Sequence, residues 1–316
     1  MLYLEVSERR TGEPYADFNL YLPTGQDRFV QYRFVYVDRP QNPALSYEGG
    51  ANDAANSRLY RIREAYVGRL SEGCFSPDYR ILQGGEIGFA MQERGAGDFV
   101  GGFHGDEVAQ DIRLLGDGAA IRLDAPSFGA YTEVVFVHDS VICRCNTPSV
   151  PLCLHHACYT ARGSELTLAH RIEFVADANT LVAAFMPMVT VERLDPANPS
   201  FRPTDRLSFY DREGGALVAT LDTTPYGLTQ IEGVPYSFLR GTAAAAVVAS
   251  GRESGITVAS GLRLPEGSPL LGRVHVSVWI RYGQDLDSKV YFDVGGGTAP
   301  LCGTVWESEA YYRITE

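Results

Sequence analysis

Residues 131–193 read YTEVVFVHDSVICRCNTPSVPLCLHHACYTARGSELTLAHRIEFVADANTLVAAFMPMVTVER. How this run divides decides the fold. β-Branched and aromatic residues dominate it, Asn, Asp, Gly and Pro interrupt it, and apolar residues recur at the two-residue period of a strand. Four strands are predicted, over 131–145, 151–161, 165–175 and 181–193, with connections short enough for an antiparallel meander. If Arg162-Gly163 forms a two-residue turn, His155 lies opposite His170; a three-residue loop puts His156 there instead. Either register brings two histidines to ~5.5 Å, Cα to Cα. In the first register His155 and His170 share an apolar face with Cys153, Leu168, Ile172 and Phe174, while His156, Arg171 and Glu173 form a polar face suited to a cleft floor.

The rest of the chain has the same texture. YLEV, FVQYRFVYV, AYVGRL, EIGFAM, VHVSVWIRY and KVYFDV are strand-like, and 33 glycines serve the turns between them. The expected fold is all-β, a large antiparallel β-sandwich of jelly-roll type. The best helix candidate is 52–63, with loop followed by strand as its alternative. Two segments look irregular, 40–57 and 195–204. The second could divide the chain, but composition does not shift there, so one domain over 1–316 is expected.

Hydrophobic content of 45% and charged content of 21% are those of a globular protein. No apolar run approaches the ~20 residues that cross a bilayer, and the N-terminus has no apolar targeting core, so a soluble protein without a signal peptide is expected. A net charge of −12 argues against nucleic-acid partners and anionic membranes. Every basic residue is arginine except Lys289, which removes most lysine chemistry, and no P-loop surrounds that lysine. The six cysteines resemble no disulfide framework and are expected to be mostly reduced.

Three constellations carry candidate chemistry. GGFHGDE, residues 101–107, sets His104, Asp106 and Glu107 among three glycines, as an acid/base centre or as a β-bulge with a solvated turn. The meander histidines are a second: a catalytic cleft, or hydrogen-bonded residues at the edge of the core. Zinc on Cys153, His155 and His170 ranks last because no Cys-x-x-Cys pair occurs, and neither metal nor cofactor is expected. In the third, His275, Ser277, Trp279 and Arg281 alternate with valines, and Lys289, Tyr291 and Asp293 follow on the next strand. Such a face suits sugar rings, which stack on aromatics; a solvated outer face is the plainer alternative. No GxSxG nucleophile elbow is present.

LYRIREAYVGRL, then GGFHGDE with DGAAI behind it, HRIEFVADANTLVAAFMPM and a closing WESEAYY resemble β-sandwich proteins of carbohydrate-degrading systems and phage tails. In layout the chain is similar to the jelly-roll polysaccharide lyases. The resemblance implies β-elimination on a uronate-containing oligo- or polysaccharide, with His104 or His156 as base, Arg171 neutralising the carboxylate, Tyr159 as acid and Glu173 beside them. Asp106, Glu107, His155, His170, Trp279, Arg281 and Tyr291 would then bind substrate. A non-catalytic glycan-binding or virion module is the alternative, and a glycosidase using Glu86 with Glu93, or Asp106 with Glu173, is third. A homo-oligomer is compatible with the sequence.

Overall fold

The computed structural model describes residues 1–25, 27–39, 56–83, 87–195, 197–225, 237–280 and 287–316. Among these the protein is all-β, with a single 3₁₀ turn at Gly102–His104. One hydrogen-bonded sheet folds into two facing layers. In the first, Ser127–Tyr131, Leu2–Val6, Phe18–Gly25, Arg28–Arg39, Ser57–Ser71 and Cys74–Leu82 run side by side. A single pair, Val191 with Leu82, continues this layer into Leu181–Glu192, Asp287–Asp293 and His275–Ile280. The second layer is Glu107–Gly116, Glu133–Arg144, Thr147–Arg162, Glu165–Phe174, Val305–Thr315, Thr257–Arg263, Ala246–Ser250, Arg206–Tyr210 and Leu217–Asp222. Among the described residues, one ladder joins the layers: a short parallel pairing of Ser57 with Glu107 and Arg58 with Val108.

The layers meet over an aromatic core. The ring of Phe136, from the second layer, lies 5.1 Å from Phe18, 5.7 Å from Phe34 and 5.2 Å from Tyr60, all of the first layer. Tyr159 completes the cluster at 5.4 Å from Phe34. Each such pair adds ~0.5–1.5 kcal/mol beyond the area it buries. Core residues on both sides of 195–204 belong to this one cluster, Val191 and Leu207 among them. No helix among the described residues is long and apolar enough to cross a membrane. None of the six cysteines is paired with another.

The meander departs from expectation in two ways. The turn is Gly163-Ser164, with Arg162 paired to Glu165 and His155 to Ile172. Gly163 has φ +58°, so it takes the first central position of a two-residue hairpin loop, where positive φ is required; the turn Arg162-Gly163 would have put that demand on arginine. The register therefore differs by two from the first expectation. An even shift preserves faces, and His155 and His170 remain on one side as diagonal neighbours. Secondly, the meander has three strands. Glu165–Phe174 pairs with Val305–Thr315, and Leu181–Glu192 crosses to the first layer, between Gly88–Glu93 and Asp287–Asp293. Its run LVAAFMPMV does not alternate: Val189 joins the main core with Val191, Leu181, Ala184 and Met186 join a second apolar cluster, and Val182 stays exposed.

The helix candidate over 52–63 is strand from Ser57 onward, paired along Arg28–Arg39, because Tyr60 and Ile62, two apart, find an apolar partner layer that outweighs helix propensity. Residues 40–55 of the expected irregular segment, together with Glu86 and Arg281, lie outside the described residues.

Candidate functional site

Leu181–Glu192, Asp287–Asp293 and His275–Ile280 bury Val189, Val191, Val276, Val278, Val290 and Phe292 in the core. By the two-residue period, Thr190, Glu192, Lys289, Tyr291, Ser277 and Trp279 therefore face the other way. The hairpin register sets Ser277 opposite Tyr291 and Trp279 opposite Lys289, so these members of the third constellation are cross-strand pairs on one side of the hairpin, with Lys289 itself buried. A row of half-buried rings runs along it. Tyr291 stacks on Phe185 at 4.8 Å, Phe185 on Phe99 at 5.4 Å, and Phe99 meets His104 at 5.1 Å. His104 Nδ1 lies 3.8 Å from Asp98 Oδ1. Two constellations that sequence placed far apart thus form one face.

Arg80 and Glu192, which sequence did not single out, belong to the same face. Arg80 donates to both carboxylate oxygens of Glu192, at 2.9 and 3.0 Å. Burial raises the Glu192 carboxyl to about 7, the Arg80 charge and hydrogen bonds pulling against it and the charges of Asp287 and Asp195 adding to it. A carboxyl raised in the folded state binds its proton more tightly there, so it adds stability below the ordinary carboxylate range and loses it as pH rises through about 7. Unfolding free energy measured from pH 5 to 8 should decline by on the order of 3 kcal/mol from this group, and Glu192→Gln should flatten that segment. A wild-type profile identical to that of the variant would contradict the shift.

Behind GGFHGDE lies a second, fully enclosed cluster. Glu107 opens its strand with its side chain between the layers. The carboxylate accepts hydrogen bonds from the Gly102 N–H at 2.5 Å and the Ser140 hydroxyl at 2.5 Å, and its Oε1 lies 2.7 Å from His155 Nδ1. His155 Nε2 is 2.8 Å from His170 Nδ1. Gly102 has φ +53°, and a Cβ there would stand 2.9 Å from the Phe89 carbonyl, so only glycine turns that N–H onto the carboxylate. Burial opposes ionisation of Glu107, but the charge and hydrogen bond of His155, with His138 and the Gly102 N–H, outweigh it and hold the carboxyl well below the usual range. Burial lowers His138 to about 4 and His170 well below the usual imidazole value. His138, also missed by sequence, shares this space: a cavity of about 20 Å³ lined by Glu107, His138, His155, His170 and Tyr159. The arrangement can relay a proton along Glu107, His155 and His170, or hold an ion.

The remaining expected site residues are scattered. His155, His170 and Glu107 are enclosed between the layers, not exposed on a cleft. Asp106 is buried as well; it accepts from the Asn146 N–H at 2.8 Å and braces the hairpin beyond Glu133–Arg144. Tyr159 is in the aromatic core, where burial raises its hydroxyl far above the ordinary value. His156, Arg171 and Glu173 occupy the opposite side of that sheet, so Tyr159 does not meet them. There His156 bonds Asp139 at 2.6 Å and Arg171 bonds Glu173 at 2.8 Å. His156 and Arg171 line an open cleft of about 520 Å³ with Arg263, Glu307 and Glu309. Asp106 and Glu173, proposed as a carboxylate pair, are thus one inside the sandwich and one outside it.

No family model and no curated protein sequence matches this chain. Among solved structures it is similar to a GH36 α-galactosidase from Geobacillus stearothermophilus, at TM-score 0.44 and 11% identity over 94% of this chain and 40% of that one. It is also similar to a galactose 1-epimerase from Lactobacillus acidophilus, at TM-score 0.41 and 11% identity over 100% of this chain and 99% of that one. Heparinase III gives TM-score 0.38 and 8% identity over 93% of this chain and 35% of that one. The chain therefore spans less than half the length of the galactosidase and heparinase chains. The likeness is one of β-rich shape, and no family membership follows from it.

Proposed function

We propose that the protein acts on a uronate-containing oligo- or polysaccharide and cleaves it by β-elimination on the outer face of the first layer. The main support is the row of rings from His104 through Phe99 and Phe185 to Tyr291, with Trp279 on the same side of the hairpin. Half-buried rings in line offer successive sugar units an apolar platform, while their edges leave hydroxyls solvated. His104 takes the proton beside the uronate carboxylate, a C=C bond forms as the C–O bond to the next sugar breaks, and Tyr291 returns a proton to the departing oxygen. Lys289, buried beneath the face opposite Trp279, adds positive charge from below, and Asp98 steadies the imidazolium. Tyr159 and His156 have no part, because neither shares this face.

The test is turnover of a panel of uronate polysaccharides, followed by the ultraviolet absorbance of the unsaturated product. His104→Ala should lower the rate by ~10²–10⁴-fold, and Tyr159→Phe should leave it unchanged. Binding is read separately from Trp279 fluorescence in a Trp306→Phe background, since the chain has only two tryptophans. Reducing ends without unsaturation would mean hydrolysis. Binding without turnover would make the face a glycan-binding module, and neither binding nor turnover across the panel would overturn the carbohydrate role.

A further inference from the structure

The enclosed cluster behind the sugar face has a chemistry of its own, independent of the function just proposed. We propose that it is a binding site for one divalent transition-metal ion of the zinc type, ligated by His138, His155 and Glu107, with a structural role between the two layers. One ligand atom from each of these three residues lies within 4.8 Å of the others, and all three are buried. The independent pointer is His138. It is 2% exposed, lines the cavity, and neither ring nitrogen has a hydrogen-bond partner among the described residues. Burying a polar group unsatisfied is costly, so a side chain in this state implies a ligand for its lone pair.

The surroundings fit an ion. The cavity of about 20 Å³ holds one ion or one water molecule. Two imidazoles and a carboxylate are the nitrogen and oxygen donors that suit zinc, whereas calcium and magnesium prefer all-oxygen sets. Tetrahedral ligand atoms stand ~3.3 Å apart at ordinary zinc bond lengths, so the pair Glu107 Oε1 and His155 Nδ1 must open slightly from its 2.7 Å. The second shell is in place. His170 holds His155 by Nε2 and leaves Nδ1 for the ion, and the Gly102 N–H and the Ser140 hydroxyl fix the carboxylate. Cys153, part of the zinc set ranked last in the sequence, is not in the group.

Tag-free protein purified without chelator is analysed for metals, then stripped with chelator and titrated with zinc chloride while its melting midpoint is followed. One equivalent per chain is expected, with a midpoint that rises with the logarithm of zinc concentration. Cobalt substitution should give the visible bands of a tetrahedral nitrogen/oxygen site. His138→Phe should lose both the equivalent and the shift, and His156→Ala, on the outer surface, should keep them. No retained metal together with no zinc-dependent shift would overturn the proposal, leaving a site for one water only. So would an unchanged shift in His138→Phe, or a thiolate charge-transfer band, which would put the ion on a cysteine. If His138→Phe does not fold, the stoichiometry and cobalt spectrum of the wild-type protein decide alone.

Discussion

Glu107→Ala should lower the stability of the protein by about 3–5 kcal/mol, as expected when one partner of a buried, charge-assisted network is removed. The side chain is fully enclosed, and its loss strands the Gly102 N–H and the His155 ring nitrogen and leaves the Ser140 hydroxyl only its longer bond to the His155 carbonyl, at 3.3 Å. Each stranded donor bears its desolvation penalty without compensation, and that outweighs the modest net worth of the bonds themselves. Glu107→Gln keeps the shape and one acceptor oxygen but turns an amide N–H toward an existing donor, so a smaller loss is expected. Urea unfolding of the three proteins in parallel reads both values. A loss below ~1 kcal/mol for the alanine variant would mean that the cluster relaxes or admits water.

Phe136→Ala should cost about 3–5 kcal/mol by a different route, that of a cavity in a close-packed core. The ring is fully buried and touches aromatic rings of both layers: Phe18 and Tyr60 on one side, and Tyr159 at 5.6 Å within its own layer. Because the void would open between two sheets whose strands are fixed by their ladders, little collapse is available to fill it. Phe136→Leu should recover most of the loss. Leu301→Ala, at a site that is 65% exposed, should stay within ~0.5 kcal/mol and serves as the control in the same unfolding series.

Strand content and the two-faced character of the meander were legible because a period of two survives even when register is misjudged. The turn glycine was placed one position too late, yet the shift was even and His155 and His170 stayed together. Parity also held information that the expected catalytic set ignored. His156 and Tyr159 are three apart in one strand and must point to opposite faces, so they could never have shared a cleft. His138 was hidden for the opposite reason. In VVFVHDSV it is an unremarkable polar residue in an alternating strand, and only its pairing with Ala157 puts it beside His155. Arg80 and Glu192 lie 112 residues apart, and no local pattern announces their contact. The path of Leu181–Glu192 into the other layer was equally invisible, since adjacency in sequence favours a fourth meander strand until a better partner for Glu165–Phe174 arrives from the C-terminus.

The short parallel pairing of Ser57 with Glu107 works like the spine of a book. The backbone of Glu107 is stitched to the first layer while its side chain anchors the imidazoles of the second. Opening the covers and dispersing the histidines are therefore a single event, and neither can happen without the other. Amides at the spine and those of the strands carrying His138, His155 and His170 should accordingly exchange with solvent as one cooperative unit, slower than the exposed edge at Leu217–Asp222.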